Sequence, residues 1–104
     1  MAKSKEEHIL RALYSELSKK LDAHIVAVNM YQRNALTLKE LQSIQSLGDR
    51  TVEAAERLLN IIMEKPDNVY LCFLDVLKYT DGQQHIYQIL VEGGYKGRYG
   101  DFKV

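Results

Sequence analysis

Proline, glycine and cysteine are scarce in this chain of 104 residues, and tryptophan is absent. The single proline is Pro66, and four of the six glycines lie at residue 93 or later. Because proline and glycine are the residues that most disfavour helix interiors, the first 92 residues contain few obligatory helix breaks. The composition therefore favours a helical chain.

The sequence also lacks a net charge and a long apolar run. Lysine and arginine number 14, and aspartate and glutamate also number 14. A nucleic-acid-binding domain of this size normally has a clear basic excess, so the balance favours a protein partner over nucleic acid. No apolar stretch approaches the ~20 residues that span a bilayer, so we expect no membrane partner.

Cys72 is the only cysteine, which excludes an internal disulfide and gives no sign of secretion. The first residues also lack the apolar run of a signal peptide, so we expect a cytoplasmic location. His8, His24 and His85 are far from Cys72 in sequence, without the spacing of a zinc site. We therefore predict no enzymatic activity, no metal and no cofactor, and a buried structural role for Cys72.

Apolar residues recur at helical spacing in six segments, each followed by a short polar break. In the first segment Leu10, Leu13, Leu17 and Leu21 follow one another at steps of three and four, which places them on one helix face. The segments cover about residues 5–21, 23–33, 38–47, 50–65, 67–79 and 82–92. We predict an all-α domain over residues 1–93 and a Gly/Tyr-rich tail or linker over 94–104.

Polar residues at the segment starts indicate helix caps. Thr37 and Glu40 have the spacing of a capping box, in which each side chain accepts a hydrogen bond from the other residue's backbone amide. Further expected caps are Asp22 for the second helix, Asp49 for the fourth, Asp67 for the fifth and the Asp81-Gly82-Gln83-Gln84 segment for the sixth. Within the fourth helix, Glu53 and Arg57 stand four residues apart in the order that favours an ion pair.

The fifth segment also allows a strand. The run Val69-Tyr70-Leu71-Cys72-Phe73 has a composition typical of a buried strand. Helical spacing of Phe73, Leu74 and Leu77 and the lack of a second strand favour a helix instead.

Four sequence blocks together resemble the caspase recruitment domain (CARD) of the death-fold superfamily. They are Ile9-Leu10-Arg11-Ala12-Leu13-Tyr14-Ser15-Glu16-Leu17, residues 35–44, residues 55–62 and Phe73-Leu74-Asp75-Val76-Leu77. The resemblance covers roughly residues 6–92. It implies an antiparallel six-helix bundle with a bent or broken first helix.

The resemblance also implies a function, namely an adaptor that binds other CARD-containing proteins, self or different, and recruits caspases or signalling proteins in apoptosis or innate immunity. Helices one and four of one such domain dock against helices two and three of the next, and helical homo-oligomers are among the implied assemblies. By position, the implied interaction residues are Arg11, Tyr14, Arg50, Glu53, Glu56 and Arg57 on helices one and four, Lys19 and Lys20 at the end of helix one, and Arg33 and Glu40 on the opposing surface.

The sequence departs from the caspase CARDs at two of these positions. Several of those domains have basic residues where this chain has Tyr14 and Glu56. The polarity of the interface, and the choice between self and a different CARD, therefore stay open at this point.

A helix-turn-helix DNA-binding domain is the alternative. The third helix, the turn around Gly48 and the fourth helix imitate that motif. The exposed face of its second helix would, however, bring Glu53 and Glu56 towards phosphate, so we favour the protein-interaction reading.

Overall fold

The computed structural model describes residues 10–91, apart from the side chain of Asp67, and this part of the chain is helical throughout, without strands. Residues 10–12 are helical, and a turn at Leu13 separates them from α1. The first helix is thus broken, as the resemblance implied. The helices are α1 Tyr14–Lys20, α2 Ala23–Gln32, α3 Leu38–Gln45, α4 Thr51–Met63, α5 Asp67–Tyr79 and α6 Gln84–Gln88.

Two of the predicted caps are confirmed. The side chain of Asp22 accepts a hydrogen bond from the Ile25 amide at the start of α2. At the start of α3 the capping box of Thr37 and Glu40 is complete, with N–O distances of 2.9 and 3.1 Å. Both helices therefore begin where their local sequence predicts.

Three other predicted caps are wrong. The turn after α3 continues through Gly48, whose φ is +53°, so α4 begins at Thr51 with Arg50 as N-cap rather than Asp49. Pro66, extended and without an amide, takes the N-cap position of α5 in place of Asp67. Gln83 is the N-cap of α6 but makes no capping bond, because its side chain is directed elsewhere. The last helix is also shorter than predicted, since a π-turn follows it at residues 89–91.

The core lies between α4 and the helices around it. The side chains of Ala54, Ala55, Leu58 and Leu59 on α4 are fully buried, as is Phe73 on α5. The fifth segment is a helix, so the strand alternative is wrong. Its apolar run supplies core positions at helical spacing, and its backbone needs no partner strand.

Several apolar side chains lie at the surface instead. Ile25 on α2 is exposed, and Tyr79 on α5 has 66% of its surface exposed. Lys78 lies near the rings of Tyr79 and Tyr87, 5.5 and 5.8 Å from their centroids. A cation at this range partly compensates an exposed aromatic ring.

Gln83 joins the two turns at one end of the bundle. Its side chain is 7% exposed, and its Oε1 accepts a hydrogen bond from the backbone amide of Asp22 at 3.0 Å. Its Nε2 donates to the carbonyl oxygen of Gly82. The side chain therefore fixes the α5–α6 turn against the α1–α2 turn.

We expect Gln83→Ala to lower the free energy of unfolding by about 1–3 kcal/mol, because the part-buried Asp22 amide loses its acceptor. Urea denaturation followed by circular dichroism measures the change. Gln88→Ala, at an exposed position of α6, is the matched control. A loss no larger than that of the control would show that water replaces the glutamine oxygen.

Candidate protein-interaction surface

The residues predicted for helices one and four lie on one side of the bundle. α1 packs against α4, and the hydroxyl of Tyr14 is 3.4 Å from Oδ1 of Asn60. Arg11, Tyr14, Asn60 and Met63 line one shallow depression of about 240 Å³. We call Arg11, Tyr14, Arg50, Glu53, Glu56, Arg57 and Asn60 the α1/α4 face.

Tyr14 is half-buried at the centre of the α1/α4 face. Burial raises the pKa of its phenol, and the neighbouring carboxylate of Glu56 raises it further, while the hydrogen bond to Asn60 acts in the opposite direction. The phenol therefore stays neutral and acts as a hydrogen-bonding group between charged neighbours.

The outer side of α4 bears charges of both signs. Nε of Arg50 lies 3.3 Å from Oε1 of Glu53, so this pair forms in place of the predicted Glu53–Arg57 pair. The arrangement follows from the helix start, because Arg50 is the N-cap and reaches the first turn. Within residues 10–91, neither Glu56 nor Arg57 forms an ion pair. With Leu47 and Asn60 these side chains line a second depression, of about 340 Å³.

The two residues predicted for the opposing surface are held by other helices. Arg33, which ends α2, forms a hydrogen-bonded ion pair with Asp75 of α5. Glu40 of α3 forms an ion pair of 2.8 Å with Nζ of Lys65, beyond the end of α4. The first pair joins α2 to α5, and the second joins α3 to the turn between α4 and α5.

Several opposing effects act on the carboxylate of Glu40. Burial acts to raise its pKa, but the contacts with Lys65 and the hydrogen bonds from Thr37 outweigh burial, so the pKa lies below its ordinary value. The ionised form of Glu40 therefore stabilises the folded state.

Lys19 and Lys20 lie in the last turn of α1, both exposed. Nζ of Lys20 is 3.0 Å from Oε2 of Glu16, one helical turn earlier. The positive charges of these lysines interact favourably with the C-terminal end of the helix dipole, so they also stabilise α1 itself.

Comparison with protein families identifies this arrangement. The sequence matches the family described as caspase recruitment domain over residues 7–93. The chain belongs to the CARD family. Comparison with curated proteins and with solved structures gives no match. CARDs are protein-interaction domains that bind other CARDs, and this chain has the broken first helix that the resemblance implied.

Sequence analysis did not predict one residue of the α1/α4 face or the two ion-pair partners of Arg33 and Glu40. Asn60 was not among the predicted interaction residues, yet its Oδ1 accepts a hydrogen bond from the hydroxyl of Tyr14 across the seam between α1 and α4. Its spacing of three from Arg57 could have placed it on the same face. Asp75 and Lys65, the partners of Arg33 and Glu40, are 42 and 25 residues away in sequence and gave no local signal.

The thiol of Cys72 and the side chains that could bind a metal do not form a common site among residues 10–91. Cys72 is half-buried rather than buried, because it lies on the side of α5 that adjoins the Arg33–Asp75 pair. Burial raises the pKa of its thiol, Asp75 adds to the rise and Arg33 opposes it. Among residues 10–91, no three metal-binding side chains cluster, and no helix is long and apolar enough to cross a membrane. His8 and residues 94–104 lie outside the described part of the chain.

We expect Glu40→Gln to lower the free energy of unfolding by about 1 kcal/mol or less at neutral pH. Glutamine can still complete the capping box, so the change removes the ion pair with Lys65. The contribution of Glu40 is fully present above its unfolded pKa and is lost as the pH falls through its lower, folded pKa. The difference between wild type and variant should therefore shrink in acid.

Urea denaturation at a series of pH values from neutral to acid measures this difference. Glu64→Gln is the control, because Glu64 is exposed and forms no ion pair within the described residues. Equal losses for the two variants at neutral pH would show that the Lys65 pair contributes nothing to stability.

Proposed function

We propose that the chain is a cytoplasmic recruitment module that binds the CARD of a caspase or signalling protein in apoptosis or innate immunity. The observation that supports this best is the α1/α4 face of a CARD-family bundle, on which Glu56 and Arg57 have no partner among the described residues. In this proposal the face docks on helices two and three of the partner. The charges set the choice of partner and the rate of encounter more than the overall affinity.

The composition of the face supports a protein partner. Arginine and tyrosine are residues that protein interfaces favour, and they lie here beside two shallow depressions rather than an enclosed cavity. Glu53 and Glu56 on the same helix would repel phosphate, which counts against the helix-turn-helix alternative.

We expect Arg57→Glu to weaken capture of a partner CARD at least tenfold, or about 1.4 kcal/mol or more, because the substitution reverses an exposed charge on the docking face. The immobilised chain is incubated with a panel of purified caspase and adaptor CARDs, and bound protein is quantified by surface plasmon resonance. Lys78→Glu makes the same charge reversal on α5 and should leave capture unchanged.

Two results would count against the proposal. Capture of no CARD by the folded wild-type chain would contradict CARD recruitment. Equal loss with Arg57→Glu and Lys78→Glu would place the contact outside the α1/α4 face. A salt-sensitive shift of duplex DNA by the wild-type chain would favour the helix-turn-helix alternative instead.

A further inference from the structure

A groove of about 310 Å³ lies between α2 and α5, away from the α1/α4 face. Its lining includes Ile25, Asn29 and Arg33 on α2, Tyr79 at the end of α5 and Asp81 in the turn that follows. We call it the α2/α5 groove. Ile25 and Tyr79 are exposed, so the groove leaves apolar surface in contact with water. None of the residues of the α1/α4 face lines it, so the two sites share no side chain.

The polar atoms that the α2/α5 groove offers are mainly hydrogen-bond acceptors. The carboxylate of Asp81 is exposed and forms no ion pair within residues 10–91. Nδ2 of Asn29 donates to the carbonyl oxygen of Ile25 at 3.0 Å, and its Oδ1 accepts no hydrogen bond from the described residues. Arg33, the basic residue of the lining, is paired with Asp75. These groups suit a ligand that brings a cation and hydrogen-bond donors.

The neighbouring lysine, Lys78, is directed away from the groove. Its Nζ lies 5.5 Å from the centre of the Tyr79 ring and 5.8 Å from that of Tyr87, which belongs to α6. Lys78 is also not part of the groove lining. Asp81 therefore has no basic side chain in contact among the described residues, and an incoming cation gains its full attraction.

The chain carries a segment of this chemistry shortly after α6. Tyr95-Lys96-Gly97-Arg98-Tyr99 contains two cations, no carboxylate and a tyrosine at each end. A basic side chain of this segment complements the carboxylate of Asp81. A tyrosine ring complements the apolar surface of Ile25 and Tyr79.

The segment is also near enough to reach the groove. α6 begins directly after the turn that contains Asp81, and at about 1.5 Å per helical residue Val91 lies roughly 12 Å from that turn. An extended chain gains about 3.3 Å per residue, so residues 92–98 span roughly 23 Å. Gly93 and Gly94 allow the reversal of direction that binding requires. A tether this short gives an effective concentration on the order of millimolar, so a weak contact is sufficient.

We propose that the α2/α5 groove is a binding site for a basic, tyrosine-flanked peptide segment, and that residues 95–99 of this chain occupy it. In this contact the guanidinium of Arg98 pairs with the carboxylate of Asp81, and its remaining donors suit Oδ1 of Asn29. The inference goes beyond the proposed function and does not depend on it, since no residue of the α1/α4 face takes part.

Backbone ¹⁵N relaxation of the full chain tests the proposal, because it reports the order of residues 95–99 directly. For these residues of the wild type at low salt we expect order parameters above about 0.6, against about 0.85 for the helices. Asp81→Arg should lower them below about 0.6, because it places two cations opposite each other. Asp49→Arg makes the same charge change at an exposed position of another turn and should leave the order of residues 95–99 unchanged.

A charge exchange identifies the pair in contact. Arg98→Asp alone should also lower the order of residues 95–99, and its combination with Asp81→Arg should restore the order because opposite charges meet again. Lys103→Asp makes the same charge change outside the segment and should have no effect. The amide chemical shifts of the helices confirm that each variant is folded.

Three results would overturn the proposal. Order parameters below about 0.6 for residues 95–99 of the wild type at every protein concentration would leave the groove to a basic segment of another protein. Order that arises only as the protein concentration rises would assign the bound segment to a second copy. Equal losses with Asp81→Arg and Asp49→Arg would show a general effect of charge and not a contact in the groove. Capture of a CARD is measured separately, so none of these results decides the proposed function.

Discussion

The structure depends on the packing of α4 in the middle of the bundle. This helix contacts α1, α2, α3 and α5. Its adjacent alanines, Ala54 and Ala55, have no exposed surface, and their small side chains let neighbouring helices approach closely. No helix among residues 10–91 exceeds 13 residues, and helices this short are marginal in water alone. Burial against α4 is therefore what keeps them helical.

The same packing fixes the outer side of α4. Once the alanines and leucines face inward, helical geometry places Glu53, Glu56 and Arg57 outward, on the side where α1 adds Tyr14. The α1/α4 face is thus a consequence of the core, so a substitution of one of its exposed charges leaves the buried contacts that hold the helix in place.

Local signals in the sequence predicted the helices, and long-range contacts decided their details. Periodicity found all six segments, and the capping box of Thr37 and Glu40 was fully predictable because its atoms lie within four residues. The caps at Asp49 and Asp67 were wrong because a left-handed Gly48 prolongs one turn and Pro66 takes the other cap position. The residues of the α1/α4 face were assigned from the resemblance to CARDs and not from a local sequence pattern. The ion pairs of Arg33 and Glu40 cross between distant segments, and no pattern within either helix indicates them.

These long-range ion pairs also determine which charged residues are available to another molecule. The sequence pattern alone does not distinguish Arg33 and Glu40 from Arg57, since each is a charged residue on the polar side of a helix. In the structure they differ, because an ion already paired within the domain must lose that partner before it can serve another molecule, and the exchange gains little. Only charges left without a partner, such as Arg57, gain fully from a complementary surface. The charges of this domain therefore differ in how far they are available to another molecule, although its net charge is zero.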